Sequence, residues 1–343
     1  MHFLHAYCRL LKHREVSMAR IMAVTSGKGG VGKSNFTLNV GICLAMMSHR
    51  VRILDADLGL ANMDVLLGIR PNRTLEDVIL GRFGIGEIIF KTDYNVELIP
   101  GSSGTQDMAD LGREQLGDLV KQISSLSTST DYLLVDTASG ISAGVISFLM
   151  AAPEVVVGVV PEPTSLTDAY AMIKVLKKND YPGRISMFSS MVKNSSAGHN
   201  LYKKISSASQ RFLDTHVEYL GSVYHDDKLS RAVTDQVPAV VRYPTSDIAR
   251  CYRIIASTLL GQDSVEADHE KFWTRLITML VRAPKHKAIT AGPAADAQKN
   301  GELRSMLHKL LDEQRRTREL LERLVEMIEQ HDMSIRPKPG SFV

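Results

Sequence analysis

Ser26-Gly27-Lys28-Gly29-Gly30-Val31-Gly32-Lys33-Ser34 is the stretch that decides how this chain is read. An apolar run of strand character, Arg20 to Thr25, precedes it, and a helical pattern follows from Ser34 to about Ser48. Strand, glycine-rich loop and helix, in that order, are the setting a phosphate-binding loop requires. Glycines let the backbone bend and bring its N–H groups against phosphate oxygens. The N-terminus of the following helix adds partial positive charge. Lys33 is placed to reach β- and γ-phosphates, and the Ser34 hydroxyl to ligate Mg²⁺. Lys28 is a second lysine that holding the phosphates from within does not need; on residue type alone it is a solvated surface charge.

Two further strand patterns end in carboxylates. Val51-Arg52-Ile53-Leu54-Asp55-Ala56-Asp57 closes on a pair of acids. Ligands of an open parallel sheet bind at the carboxyl ends of its strands, so these acids are expected to face the loop. Asp57 is suited to orient an attacking water and Asp55 to hold a Mg²⁺-bound water. The alternative is that the pair caps the next turn, a common use of Asp. Asp131-Tyr132-Leu133-Leu134-Val135-Asp136-Thr137-Ala138-Ser139-Gly140 is an apolar run ending in Asp136, which would bind a Mg²⁺-coordinated water from the side opposite Ser34. Further β-branched or apolar runs, Val96 to Pro100, Glu154 to Val160 and Ile185 to Val192, alternate with helical patterns that end in one from about Ser246 to Leu260. That alternation predicts a doubly wound, mostly parallel α/β sheet of the P-loop NTPase type.

Lys-Gly-Gly-Val-Gly-Lys-Ser, from Lys28 to Ser34, resembles the deviant Walker A loop of the MinD/ParA family of ATPases. The resemblance runs from about Ala19 to Gly261. It is most specific to the FlhG/FleN flagellar-number regulators at Ala61-Asn62-Met63-Asp64-Val65-Leu66-Leu67-Gly68, at Gly104-Thr105-Gln106 and at Pro161 to Lys174. It implies an ATP- and Mg²⁺-dependent switch that dimerises with nucleotide between its subunits and hydrolyses it slowly. Lys28 is then the charge acting in trans and Lys33 the one acting in cis. Asp57 is the water-orienting carboxylate, and Asn62 lies near that water in a nucleotide-sensing segment. Gly27, Lys28, Gly29, Gly30, Val31, Gly32, Lys33 and Ser34 are the expected phosphate contacts, and Ser34, Asp55 and Asp136 the expected metal site. The relatives carry Asn before Met where this chain has Phe188-Ser189-Ser190-Met191, so Ser190 is the expected base contact; Tyr224 stands where a proline is usual. The implied partners are a homodimer mate, a flagellar transcriptional activator and an SRP-type GTPase.

Composition sets bounds around this reading. A net charge of +3 argues against a broad DNA-binding surface. The three cysteines, Cys8, Cys43 and Cys251, have no CxxC spacing and suggest neither a metal site nor a disulfide framework, which suits the cytoplasm. No apolar run reaches the length of a membrane span. Residues 1–17 lack a signal-peptide core and the Asp-Gln-Ala motif of the flagellar regulators, and are expected to be an extension or to precede a start at Met18.

Residues 18–262 are thus expected to form the ATPase domain, and 263–282 an amphipathic helix. Phe272, Trp273, Leu276, Ile277, Met279 and Leu280 share one face of it, while Lys271, Arg275 and Arg282 share the other. Such a helix suits the plane of an anionic inner membrane; docking on the domain is the alternative. Residues 283–301 read as a linker. Residues 302–330 carry a heptad seam at Leu303, Leu307, Leu310, Gln314, Thr317, Leu321, Leu324 and Ile328. It serves a coiled-coil dimer or partner helix, or else a solitary helix. Residues 331–343 read as a disordered tail. Two rival functions remain open at this level: a positioning or partition ATPase for another cargo, and a metabolic enzyme sharing the loop.

Overall fold

The computed structural model describes residues 19–57, 62–79, 81–101 and 129–263, with 272, 274 and 275. Among these, eight strands form one sheet: β1 Arg20–Thr25, β2 Val51–Ala56, β3 Phe90–Lys91, β4 Val96–Ile99, β5 Tyr132–Thr137, β6 Glu154–Val159, β7 Arg184–Val192 and β8 Glu218–Tyr224. Their order is β3-β4-β2-β5-β1-β6-β7-β8. Every pairing is parallel except β3 with β4. The helices are α1 Lys33–Met46, α2 Met63–Leu67, α3 Leu75–Ile79, α4 Ile85–Ile88, α5 Ala143–Ala151, α6 Pro163–Lys178, α7 Ser195–Leu213, α8 Asp227–Thr234, α9 Ala239–Arg242 and α10 Asp247–Leu260. The doubly wound parallel fold expected from the alternation is the one observed.

The central strands β1, β2, β5 and β6 are buried at every position. Helices cover both faces of such a sheet, which is why these strands are continuous apolar runs rather than alternating ones. From β1 the chain moves to one side for β2 and later returns to the other side for β6. This reversal opens a crevice at the carboxyl end of β1, the usual ligand position in open α/β sheets. Helix α1 starts there and is buried along most of its length. Phe36 on α1 stacks on Phe188 of β7, with ring centroids 3.8 Å apart, fixing the helix over the sheet.

The opposite, amino-terminal edge is closed by ion pairs. Arg20 and Glu154, the first residues of β1 and β6, form a bidentate pair at 2.7 Å per bond, with side chains 4% and 3% exposed. Arg20 also donates to the Leu259 carbonyl at 2.6 Å and to Gln262 at 3.0 Å, joining the end of α10 to the sheet. Arg52 pairs with Glu97 at 2.6 Å, Arg184 with Glu218 at 3.3 Å, and Arg50 with Asp131 at 2.6 Å.

Within the predicted amphipathic segment, Phe272 is 1% exposed while Thr274 and Arg275 face solvent. Residues 1–17, Gly104-Thr105-Gln106, Trp273, and the predicted linker, heptad helix and tail lie outside the described residues.

Candidate functional site

The loop after β1 owes its shape to glycine at two kinds of position. Gly30 and Gly32 have φ of 78° and 92°, the left-handed region that side chains disfavour. At Gly27 the reason is space: a Cβ there would lie 2.4 Å from the Cβ of Asp168 and 2.6 Å from its backbone carbon, because α6 passes against the loop. Val31, 1% exposed, pins the middle of the loop into the core. The Ser26 hydroxyl donates to the Lys28 carbonyl at 2.6 Å, and the Gly140 N–H donates to the Ser26 carbonyl at 2.9 Å. The loops after β1 and β5 are therefore tied together. Gly32 is the N-cap of α1 and offers no side-chain acceptor, so the first-turn N–H groups are left for another acceptor.

Beneath the loop sit buried charges. Lys33 is only 9% exposed; burial lowers its pKa, while Asp136 and Asp57 act in the opposite sense. Asp136, at the end of β5, is fully buried, and that burial pushes its carboxyl up to about 7. The nearby Ser34 hydroxyl acts in the opposite sense, Thr37 donates to Oδ1 at 3.4 Å, and Oδ2 has no hydrogen-bond partner. Asp55 lies beside Asp136 in register on the neighbouring strand. Its carboxyl is pushed up to about 6, chiefly by burial, against the effect of three backbone N–H groups that donate to it at 3.2 Å: Asp57, Asn62 and Met63.

Asp57 is half-buried and accepts from Asn62 Nδ2 at 3.5 Å. Asn62 itself is exposed and opens α2. Lys28 projects outward and pairs with Glu162, the N-cap residue of α6, at 2.5 Å; the two side chains are 46% and 53% exposed. Ser190 is 4% exposed, its hydroxyl 3.7 Å from where a Cβ on Gly32 would stand. The next residue, Met191, has a φ of 55° and is the exposed one.

The structure therefore brings together Gly27 to Ser34, Asp55, Asp57, Asn62, Asp136 and Ser190 around one crevice. A buried lysine and a helix N-terminus with free N–H groups suit a polyphosphate. An orphaned carboxylate oxygen beside a serine hydroxyl suits a hard divalent cation with oxygen ligands. The residues present fit a magnesium nucleotide. Sequence reasoning gave no role to Glu162, Thr37 or Asp168. Glu162 and Asp168 flank the Pro163 that opens a helical pattern, but no local pattern announces which loop they touch.

These features define a P-loop nucleotide-binding protein. Residues 19–182 match the family model described as an AAA domain. The antiactivator FleN of Pseudomonas aeruginosa is 41% identical over 237 residues, covering 69% of this chain and 85% of that protein. The flagellum site-determining protein YlxH of Helicobacter pylori is 35% identical, covering 63% of this chain and 74% of that protein. Among solved structures, the septum site-determining protein MinD of Pyrococcus horikoshii, complexed with Mg-ADP, superposes with a TM-score of 0.60 at 25% identity, covering 73% of this chain and all of that one. The chain belongs to the MinD/ParA family of ATPases, close to the FlhG/FleN branch. It is accordingly an ATPase, in a family whose members bind nucleotide and Mg²⁺. Among the described residues no helix is long and apolar enough to cross a membrane.

Proposed function

We propose that this ATPase is a dimerisation switch, closed by Mg·ATP and opened by slow hydrolysis, that sets the number or placement of flagella. The observation that carries the switch chemistry is the buried group Lys33, Asp55 and Asp136 under the glycine loop, with the half-buried Ser34 beside it and Asp136 Oδ2 left unpartnered. Loop N–H groups and Lys33 hold the phosphates. Ser34, Asp55 and Asp136 hold the cation directly or through its waters. A Mg²⁺ held there would supply neutralisation of phosphate charge. Asp57 accepts a hydrogen bond from the attacking water, and Asn62 fixes the orientation of that carboxylate. Ser190 lies on the base side. Lys28 leaves Glu162 and reaches the phosphates of the opposing subunit, so each subunit completes the other's site. Hydrolysis removes the group that Lys28 reaches, and the subunits part.

The flagellar role is supported by the two relatives, one an antiactivator and one a flagellum site-determining protein. The partner classes this implies are a flagellar transcriptional activator and an SRP-type GTPase. The switch acts at the cytoplasmic face of the inner membrane through the 269–282 segment. Phe272 is buried, so lipid contact falls to the rest of that face, centred on Trp273. One such helix binds weakly, and a dimer presenting two gains avidity. Deleting the gene in its native host and counting flagella by electron microscopy tests the assignment. An altered number or position is expected; normal flagellation would remove the flagellar role and leave the ATPase intact.

A further inference from the structure

The stretch from Asp235 through α9 to Arg242 bonds to both helices that begin at the site, α1 and α2. Gln236 Nε2 donates to the Val65 carbonyl of α2 at 3.1 Å, across 171 residues of sequence. Four residues later, the Val240 N–H donates at 3.0 Å to the side chain of Asn39, a fully buried residue of α1. Asn39 is itself held to the Asn35 carbonyl at 2.8 Å. Arg242 and Asp235 close the segment with an ion pair at 3.0 Å. One strap therefore joins the helix that begins at the phosphate loop to the helix that begins at Asn62.

The backbone of Gln236 marks it as more than a turn residue. Its φ is 55°. It follows α8 where helices usually end on glycine, with Gln236 N–H bonding to Val233 O at 3.1 Å and Val237 N–H to Ala232 O at 3.0 Å. Glycine would hold this conformation at lower cost, but it lacks the amide that reaches Val65. Gly68, at the end of α2, leaves room for that amide: a Cβ there would lie 3.2 Å from Gln236 Cβ and 3.3 Å from its Oε1.

We propose that Gln236 is a positioning residue. It holds α2, and through it Asn62 and the Asn62–Asp57 hydrogen bond, in register with the phosphate loop by way of the strap to Asn39. Its effect on hydrolysis rests on the ATPase reading above; its effect on α2 does not. The test is Gln236→Gly, which removes the amide while relieving the backbone, followed by hydrogen–deuterium exchange and steady-state ATP hydrolysis. Expected is a melting temperature no lower than that of the unaltered protein. Amide exchange in residues 62–69 should speed up two- to ten-fold, the range one hydrogen bond supports, with the phosphate-loop peptide unchanged. The kcat should fall by a similar factor at constant KM. Unchanged exchange in residues 62–69 overturns the strap, and faster exchange with unchanged kcat overturns the positioning role. If the unaltered protein failed to hydrolyse ATP, the ATPase reading would fail, and the exchange measurement would still decide the strap.

Discussion

The two edges of the sheet handle buried charge in opposite ways. At the amino-terminal edge the arginines are matched by acids: Arg20 with Glu154, Arg52 with Glu97, and Arg184 with Glu218 and, at 3.8 Å, with Glu154 as well. At the carboxyl edge Asp136 and Asp55 lie side by side, Lys33 is buried with them, and Asp136 Oδ2 has no partner. Removing charges from water is costly unless they are paired. The first edge offsets that cost internally and holds the strands together. The second leaves part of it uncompensated, to be met by phosphate and cation. Stability and ligand chemistry are thus separated along the strand axis.

That separation can be broken by mutation. Glu154→Ala strands the buried Arg20 guanidinium, and breaking such a pair costs about 3–5 kcal/mol. Urea unfolding should show the loss, while nucleotide affinity measured on the folded fraction by calorimetry stays unchanged. A parallel collapse of affinity would mean that the edges are not independent. Asp136→Asn should do the reverse. It should lower Mg²⁺-dependent hydrolysis at least about a hundred-fold, the scale of losing one preorganised electrostatic group. Stability without nucleotide should hold or rise by about 1 kcal/mol, because an unsatisfied buried charge is removed. A destabilised Asn variant would show that the carboxylate serves the fold.

Glu162→Ala probes the rim between the two regimes. The Lys28–Glu162 pair is half exposed and worth at most about 1 kcal/mol. Freeing Lys28 should lower the ATP concentration needed for half-maximal dimerisation by about two- to five-fold. An unchanged or raised midpoint in a sedimentation titration would assign Glu162 another role.

The carboxyl edge was far more legible in the sequence than the amino-terminal one. Glycines, Lys33, Asp55 and Asp136 sit within a few residues of strand ends, and their spacing along the chain is itself the pattern. Strands β1, β2, β5 and β6 stand out because burial on both faces demands unbroken apolar runs. The helix start at Ser246 was legible for a local reason: its side chain caps its own first turn. By contrast, Arg20 finds Glu154 across 134 residues and Gln236 finds Val65 across 171. No local pattern encodes such pairs. Strand β3, Phe90–Lys91, is too short to show a period at all. Lys28 was legible as unusual, but its resting partner Glu162 depends on how α6 crosses the loop.

The central claim is that ATP, and not ADP, joins two copies through the carboxyl edge. Light scattering after size exclusion tests it most directly, using Asp57→Ala to stop turnover, with Mg·ATP and Mg·ADP compared at equal protein concentration. The account predicts that the mass with ATP is about twice that with ADP, starting from a 37.9 kDa chain, and that adding Lys28→Ala abolishes the difference. The same mass with both nucleotides would contradict it.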